Sequence, residues 1–292
     1  MSAARAARRL GLELAAPAFL AMTAVSGYPL LRAVWLSLFR DRLTDPTGRT
    51  FVGLQNYRTI LTDPLWWQDV RTTAAITVLG VTAELGLGLL LAFAMLRIVR
   101  GRAAVRTAVL VPYGIITVVS AFAWRYAFAL DAGFVNGWLG LGSFSWFGAR
   151  WPSLVVIVFA EVWKTTPFVA LLLLAGLVQV PEDLQEAAKM DGATAWQRLW
   201  KVTIPNMKAA ILVAVLFRTL DAWRIFDTVF VMTAGANRTE TLSFLAYRQS
   251  VTLLNLGMGS AVSVLLFASV AGLAAGFITA FRPDLSGVRG EG

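Results

Sequence analysis

The 292-residue sequence contains no cysteine and no histidine. Without cysteine there are no disulfides, thiolate nucleophiles or sulfur-ligated metals; without histidine, imidazole acid–base catalysis and the common zinc sites are impossible within the chain. It also lacks H-E-x-x-H, G-x-S-x-G and the phosphate loop G-x-x-x-x-G-K-[ST], so the residues for zinc proteolysis, serine hydrolysis and triphosphate cradling are missing. Carboxylates remain, but they are scattered, and no pair can be assigned a reaction. Charge is scarce too. Only 15% of residues are charged, against 58% hydrophobic, a composition that favours a membrane protein over a soluble globular one. The net charge of +9 then reads as membrane topology and not as affinity for nucleic acid.

Crossing a hydrocarbon core takes about 20 apolar helical residues. Six stretches qualify, near 10–39, 72–97, 104–129, 153–178, 208–233 and 256–281. The fold class is therefore an all-α integral membrane protein with six transmembrane helices in one domain, 1–292. The first stretch starts with Arg5, Arg8 and Arg9, but its apolar run continues through "GYPLLRAVWLSLF"; that is too long for a cleavable signal, and it is expected to be retained. "RIVRGRAAVR" places Arg97, Arg100, Arg102 and Arg106 between spans two and three with no acid among them, which makes that link cytoplasmic. Both termini then lie inside, as does the polar insert 181–207. The 40–71 loop opposes this scheme with five arginines, yet it is longer and also holds four aspartates.

The insert is a polar, helix-forming segment between two apolar spans. Pro181, Glu182 and Asp183 suit a helix start, since proline lacks the N–H that would go unused there and acids face the positive end of the helix dipole. Asp191-Gly192 is a break, glycine reaching backbone angles other residues avoid. Thr194 and Gln197 form a T-x-x-Q capping box for a second helix with Trp196, Leu199 and Trp200 on its apolar face. Pro205 ends it. Two readings of these short amphipathic helices stand side by side: a knob for a soluble partner, or a helix lying in the headgroup region.

The order Glu186-Ala187-Ala188, three residues, Gly192, nine residues, Val202-Thr203-Ile204-Pro205 resembles the EAA loop, EAA-x3-G-x9-I-x-L-P, of permeases in binding-protein-dependent ABC importers. "FVGLQNY", "VPYGIITVVSAFAWRY", "EVWKTTPFVALLLLAGLVQVPEDLQEAAKMDGA" and "RTLDAWRIFDTVFVMTAG" are similar to the carbohydrate branch, the maltose and glycerol-phosphate type, and within it to actinobacterial trehalose importers. Gly235-Ala236-Asn237 replaces a common glycine-glycine-proline turn, and Arg71-Thr72 a common asparagine-threonine; these departures bear on the binding protein or substrate choice. The resemblance implies that the insert is a cytoplasmic EAA coupling-helix loop between the fourth and fifth spans. It also implies a bacterial plasma (inner) membrane location, a second homologous permease subunit, a dimer of ATP-binding subunits, and an extracellular solute-binding protein or lipoprotein delivering a sugar. The chain would be no enzyme and bind no cofactor, with ATP and Mg on the partner ATPase. Glu186 and Asp191 become candidate polar contacts with that ATPase, Leu184, Ala187, Ala188 and Met190 apolar ones, and Gly192 the hinge.

Charged groups within spans are costly and face a cavity or one another. The fifth span carries Arg218, Asp221, Arg224 and Asp227 at i+3 steps of alternating sign, a ladder that can neutralise itself along one helix side. The fourth carries Glu161, Lys164, Thr165 and Thr166 before Pro167, which opens a backbone hydrogen bond. Counting from the motif, the family's sugar-lining positions fall on Lys164, Thr165, Phe168, Arg218, Asp221, Ala222 and Ile225, with Glu161 and Arg224 beside them. Such a set, with Trp163, Trp223 and Phe226, offers a sugar both hydroxyl partners and an apolar ring face. The competing use is packing, or pairing with a sister subunit. Other importers remain open: a permease for a non-sugar solute such as a glycerol-phosphate-like polyol, or a secondary transporter, although the halves show no internal repeat.

Overall fold

The apolar runs fold as long helices, because in lipid every backbone N–H and C=O must be satisfied within its own segment. The structure, a computed structural model, describes residues 3–45, 48–98 and 100–286, without the side chains of 3–12, 102 and 282–286. Of the charge pattern, the side chains of Arg5, Arg8, Arg9 and Arg102 lie outside that description. Four helices are long and apolar enough to cross a membrane, or up to six if each of two bent pairs counts as one span. The chain divides into two units, Met1–Trp66 with Leu245–Ala268, and Trp67–Phe244 with Ser269–Gly292.

In the first unit, helix α1 (Ala3–Ser37) ends in a clasp. Two short strands, β1 (Phe39–Arg40) and β2 (Thr50–Phe51), pair antiparallel, Phe39 opposite Phe51. Gly53 then turns the chain at φ +57° into α2 (Gln55–Thr62). Buried Asn56 donates to the carbonyls of Ser37 at 2.7 Å and Phe39 at 2.9 Å. The Ser37 hydroxyl meets the Tyr57 hydroxyl at 2.6 Å. These bonds satisfy groups that the end of α1 leaves open, which gives "FVGLQNY" a structural job. Asp63 accepts from the Leu65 N–H at 2.9 Å and so starts α3 (Pro64–Arg97) with proline at its first position.

In the second unit the core joins α3, α7 (Arg150–Val178) and α11 (Lys208–Ala222) through Ala92, Met95, Val169, Leu173, Met207 and Ala214. Small residues set the spacing: a Cβ on Gly88 would stand 2.9 Å from Val169 Cγ1, and one on Gly176 would stand 2.4 Å from Ala210 Cβ. Close backbone approach of this kind is how helices gain packing in lipid.

Two predicted spans are not continuous. The stretch 104–129 is α4 (Arg102–Gly114) and α5 (Thr117–Ala127), bent by 83°. Pro112 and Gly114 end α4, and Ile115 and Ile116 take extended backbone angles. A short helix, α6 (Val135–Leu139), follows before α7. The stretch 208–233 stops at Ala222; Phe226 has φ −135° and ψ −61°, outside helical geometry, before α12 (Asp227–Met232). The last described elements are α13 (Leu242–Tyr247), a π turn (Arg248–Thr252) and α14 (Leu256–Ser286).

Candidate functional site

At the C-terminal end of α11, Arg218 is buried at 3% exposure. Its Nε donates to Glu84 Oε2 at 2.6 Å and its Nη2 to Glu84 Oε1 at 2.9 Å, a bidentate pair between α11 and α3. Glu84 is 1% exposed, and the Thr165 hydroxyl of α7 adds a bond to its Oε1 at 2.7 Å. A two-pronged, charge-assisted pair is among the strongest that side chains make. At this depth each charge needs the other, because leaving one alone carries the desolvation penalty. Arg218 also donates through Nη1 to Asp221. The Asp221 side chain is 63% exposed, so Arg218 has one side pinned and the other held to a carboxylate facing open space. Glu161 accepts from Thr228, joining α7 to α12.

Of the expected charge ladder, only the Arg218–Asp221 pair forms among the described residues. Arg224 lies inside the break between α11 and α12, whereas Asp227 is the first residue of α12; Arg224 is exposed and its Nε donates to the Leu220 carbonyl at 3.2 Å. Arg218 takes its main partner from another helix, 134 positions away in sequence. Glu84 was missed in the sequence reading, although it is the sole acid between 72 and 97, and that isolation was the available signal.

Lys164 and Phe168 of α7 form a second cluster with Tyr113 of α4. Lys164 Nζ lies 5.4 Å from the Tyr113 ring centroid. Phe168, one turn on from Lys164, stacks on Tyr113 with centroids 5.2 Å apart and planes 12° apart. An ammonium beside a flat aromatic pair offers a hydrogen-bond donor and a C–H-accepting face together. Tyr113 sits just before the 83° bend, so it too escaped a reading based on continuous spans. Ala222 and Ile225 are buried, the Ile225 carbonyl accepting from Thr241 at 3.1 Å. Trp163 packs edge-on against Trp124, the Trp223 indole N–H donates to Ser269 at 2.9 Å, and Phe226 stacks on Phe230. The described residues therefore give these aromatics packing partners.

The insert follows its local sequence signals closely. Helix α8 (Glu182–Met190) has no buried residue. Gly192 has φ +78°, with nothing near the position of a Cβ, so only the backbone angle calls for glycine there. Its N–H bonds the Lys189 carbonyl at 3.1 Å and the Ala193 N–H the Ala188 carbonyl at 2.9 Å, the paired bonds of a Schellman cap. Both halves of the capping box are present: the Gln197 N–H to Thr194 Oγ1 at 3.3 Å, and the Thr194 N–H to Gln197 Oε1 at 2.8 Å. Helix α9 (Ala195–Arg198) runs through a π turn (Leu199–Thr203) into α10 (Ile204–Asn206), and a 73° bend leads into α11. Gln185 donates to Thr203 at 2.9 Å, tying α8 to that turn. Glu186, Ala187, Asp191 and Gly192 are exposed, and Ala188 is half-buried. Leu184, Met190, Trp196 and Trp200 are exposed as well, Met190 at 87%.

Residues 84–285 match the family described as binding-protein-dependent transport system inner membrane component. The chain belongs to this family. It is a multi-pass membrane permease, and members of such a family are transport subunits, not catalysts. The permease is 51% identical over 276 residues, 94% of this chain and 90% of the relative, to the trehalose transport system permease protein SugA of Mycobacterium tuberculosis. It is 38% identical over 248 residues, 83% of each chain, to the trehalose/maltose transport system permease protein MalF of Thermococcus litoralis. Among solved structures, a bacterial ABC transporter importing the polysaccharide alginate superimposes with a TM-score of 0.79 over 94% of this permease and 95% of that chain. At 18% identity that likeness speaks for the fold alone. Among the described residues no cluster of acidic side chains could hold a metal ion.

Proposed function

We propose that this permease, as a single domain over 1–292, forms half of the pathway of an ATP-driven importer for a disaccharide of the trehalose type. The observation that carries the reading is 51% identity over 94% of the chain to a trehalose transport permease. Delivery by an extracellular binding protein or lipoprotein follows from the family, and the alginate transporter was solved in complex with its periplasmic binding protein. Six crossings at the six apolar stretches put both termini on one face of the membrane, and the arginines between the second and third stretches favour the cytoplasmic face. The insert 181–207 then lies in the cytoplasm as the EAA loop, its exposed apolar side chains meeting a separate ATPase that supplies ATP and Mg. Leu184, Ala187, Ala188 and Met190 dock, Glu186 and Asp191 give charge complementarity, and Gly192 sets the angle between the helices. Two ATPase subunits offer two such seats, so a second homologous permease completes the assembly.

In the pathway, the open carboxylate of Asp221 accepts from sugar hydroxyls while Glu84 and Thr165 keep Arg218 in place behind it. Lys164 and the Tyr113–Phe168 pair offer a second contact. Glu161, Ala222, Ile225 and Arg224 flank these groups. Deleting the gene in its host is expected to abolish uptake of radiolabelled trehalose, and restoring it to recover uptake. Unchanged trehalose uptake with lost uptake of a labelled polyol phosphate would move the substrate class while leaving the permease assignment intact.

A further inference from the structure

A cavity of about 730 Å³ opens where the ends of α3 and α7 meet the insert. Its walls are of two kinds. Phe93 and Leu96 from α3 and Leu177 and Val178 from the end of α7 make an apolar side. Arg97, Arg198 and Glu182 bring charge. Neither arginine has an ion-pair partner among the described residues, and Glu182 pairs with neither. The Arg198 Nε is buried with no hydrogen-bond partner. A buried donor without an acceptor is costly and calls for an occupant that supplies one. Gln185 is already spoken for by Thr203.

We infer that this cavity binds the headgroup of an anionic phospholipid, with Arg97 and Arg198 on its phosphate and an acyl chain along the Phe93–Leu177 wall. Two guanidinium groups and one carboxylate leave one net positive charge, which matches a phosphodiester. Arginine's fixed fork suits phosphate oxygens, and basic pockets between spans at the inner leaflet are where such headgroups bind. Arg198 is the last residue of the capped helix α9, and Arg97 the last of α3. A bound lipid would therefore bridge insert and span, making the insert's stiffness dependent on membrane composition. The inference rests on the membrane-permease assignment and not on the cargo.

The test uses the full-length chain, purified from bilayers with equal phosphatidylglycerol and phosphatidylcholine of the same acyl chains, with retained lipid counted by native mass spectrometry. Phosphatidylglycerol should be retained over phosphatidylcholine by roughly ten- to thirtyfold, as two surface cations would give. R97Q/R198Q should abolish that preference, R97K/R198K should keep most of it, and R100Q, a change at an exposed arginine outside the cavity, should leave it unaltered. Because Arg97 is itself exposed, R97Q alone gives a partial loss in a chain whose buried packing is untouched, should the double variant fold poorly. Equal retention of the two lipids by the unaltered chain, or full preference in R97Q, would overturn the site. Displacement of the lipid by millimolar inorganic phosphate would assign the cavity to a soluble anion and also overturn it.

Discussion

Two regions of this permease invert the usual rule of apolar inside and charged outside, and they do so in opposite senses. Around Glu84 and Arg218 full charges are buried among helices; on the insert, leucine, methionine and two tryptophans stand in the open. The first region finds its partners within the chain: each guanidinium nitrogen of Arg218 has an acceptor and each oxygen of Glu84 a donor. The second is complete in its backbone, through the caps at both ends of the turn, but its apolar side chains stay exposed among the described residues. Burial without a partner is costly for charge, and exposure without a partner is costly for hydrocarbon. On the proposed reading, the buried region acts by being rigid and the exposed one by docking on a partner.

The largest effect expected tests the buried region. Glu84→Ala leaves Arg218 without its bidentate acceptor and should cost about 3–5 kcal/mol, read as a loss of folded, membrane-inserted protein in a thermal-stability assay on solubilised membranes. Replacing both groups, Glu84→Leu with Arg218→Met, should recover much of that stability, since an apolar pair of similar volume can substitute for a buried ion pair. Uptake should stay low in the double variant if Arg218 holds Asp221 toward the sugar; recovery of uptake together with folding would reduce the pair to a structural brace.

Next comes the insert. Gly192→Pro removes the N–H that closes the Schellman cap and demands φ near −65° where the chain has +78°. Glu186→Lys reverses an exposed charge. Both should uncouple ATP hydrolysis from uptake in the reconstituted importer, while sugar capture by the binding protein and the amount of inserted permease hold. Normal transport with normal stimulation of hydrolysis in both variants would make the insert a surface helix pair.

Asp221→Ala should separate function from stability more cleanly than a purely paired aspartate would. Arg218 keeps Glu84, and an aspartate this exposed contributes at most about 1 kcal/mol to folding. Uptake per inserted molecule should nevertheless fall, and fall further than for Asp45→Ala. Equal uptake in the two variants would take Asp221 out of the pathway. The smallest effect is expected at Thr194→Ala, which deletes one half of the capping box and should lower stability by about 1 kcal/mol; circular dichroism melting in detergent, with coupling efficiency alongside, measures it.

Much of the insert could be read directly because its signals are short-range. Thr194 and Gln197 are three residues apart, Gly192 follows its helix immediately, and the caps are made by those same residues. The helices at 64–97, 150–178 and 256–286 were legible for a related reason, since hydropathy over one segment is enough to demand a helix in lipid. The breaks were harder. A proline at 112 or a tryptophan at 223 occurs in straight spans as well as bent ones, and the bends at 115–116 and 223–226 are paid out in local geometry that only the surrounding packing selects.

Composition and spacing by themselves determined the membrane class, the four long apolar helices, the family and the caps of the insert, because each depends on a property of one stretch of chain. Only the tertiary structure decided that Arg218 pairs with Glu84 and that Lys164 meets Tyr113. Seen along the sequence, Asp221 three residues away was the obvious counter-charge. In a medium of low dielectric the preferred partner is the one that can be buried together with the arginine, and which helix brings that partner close is a matter of packing that no local pattern encodes.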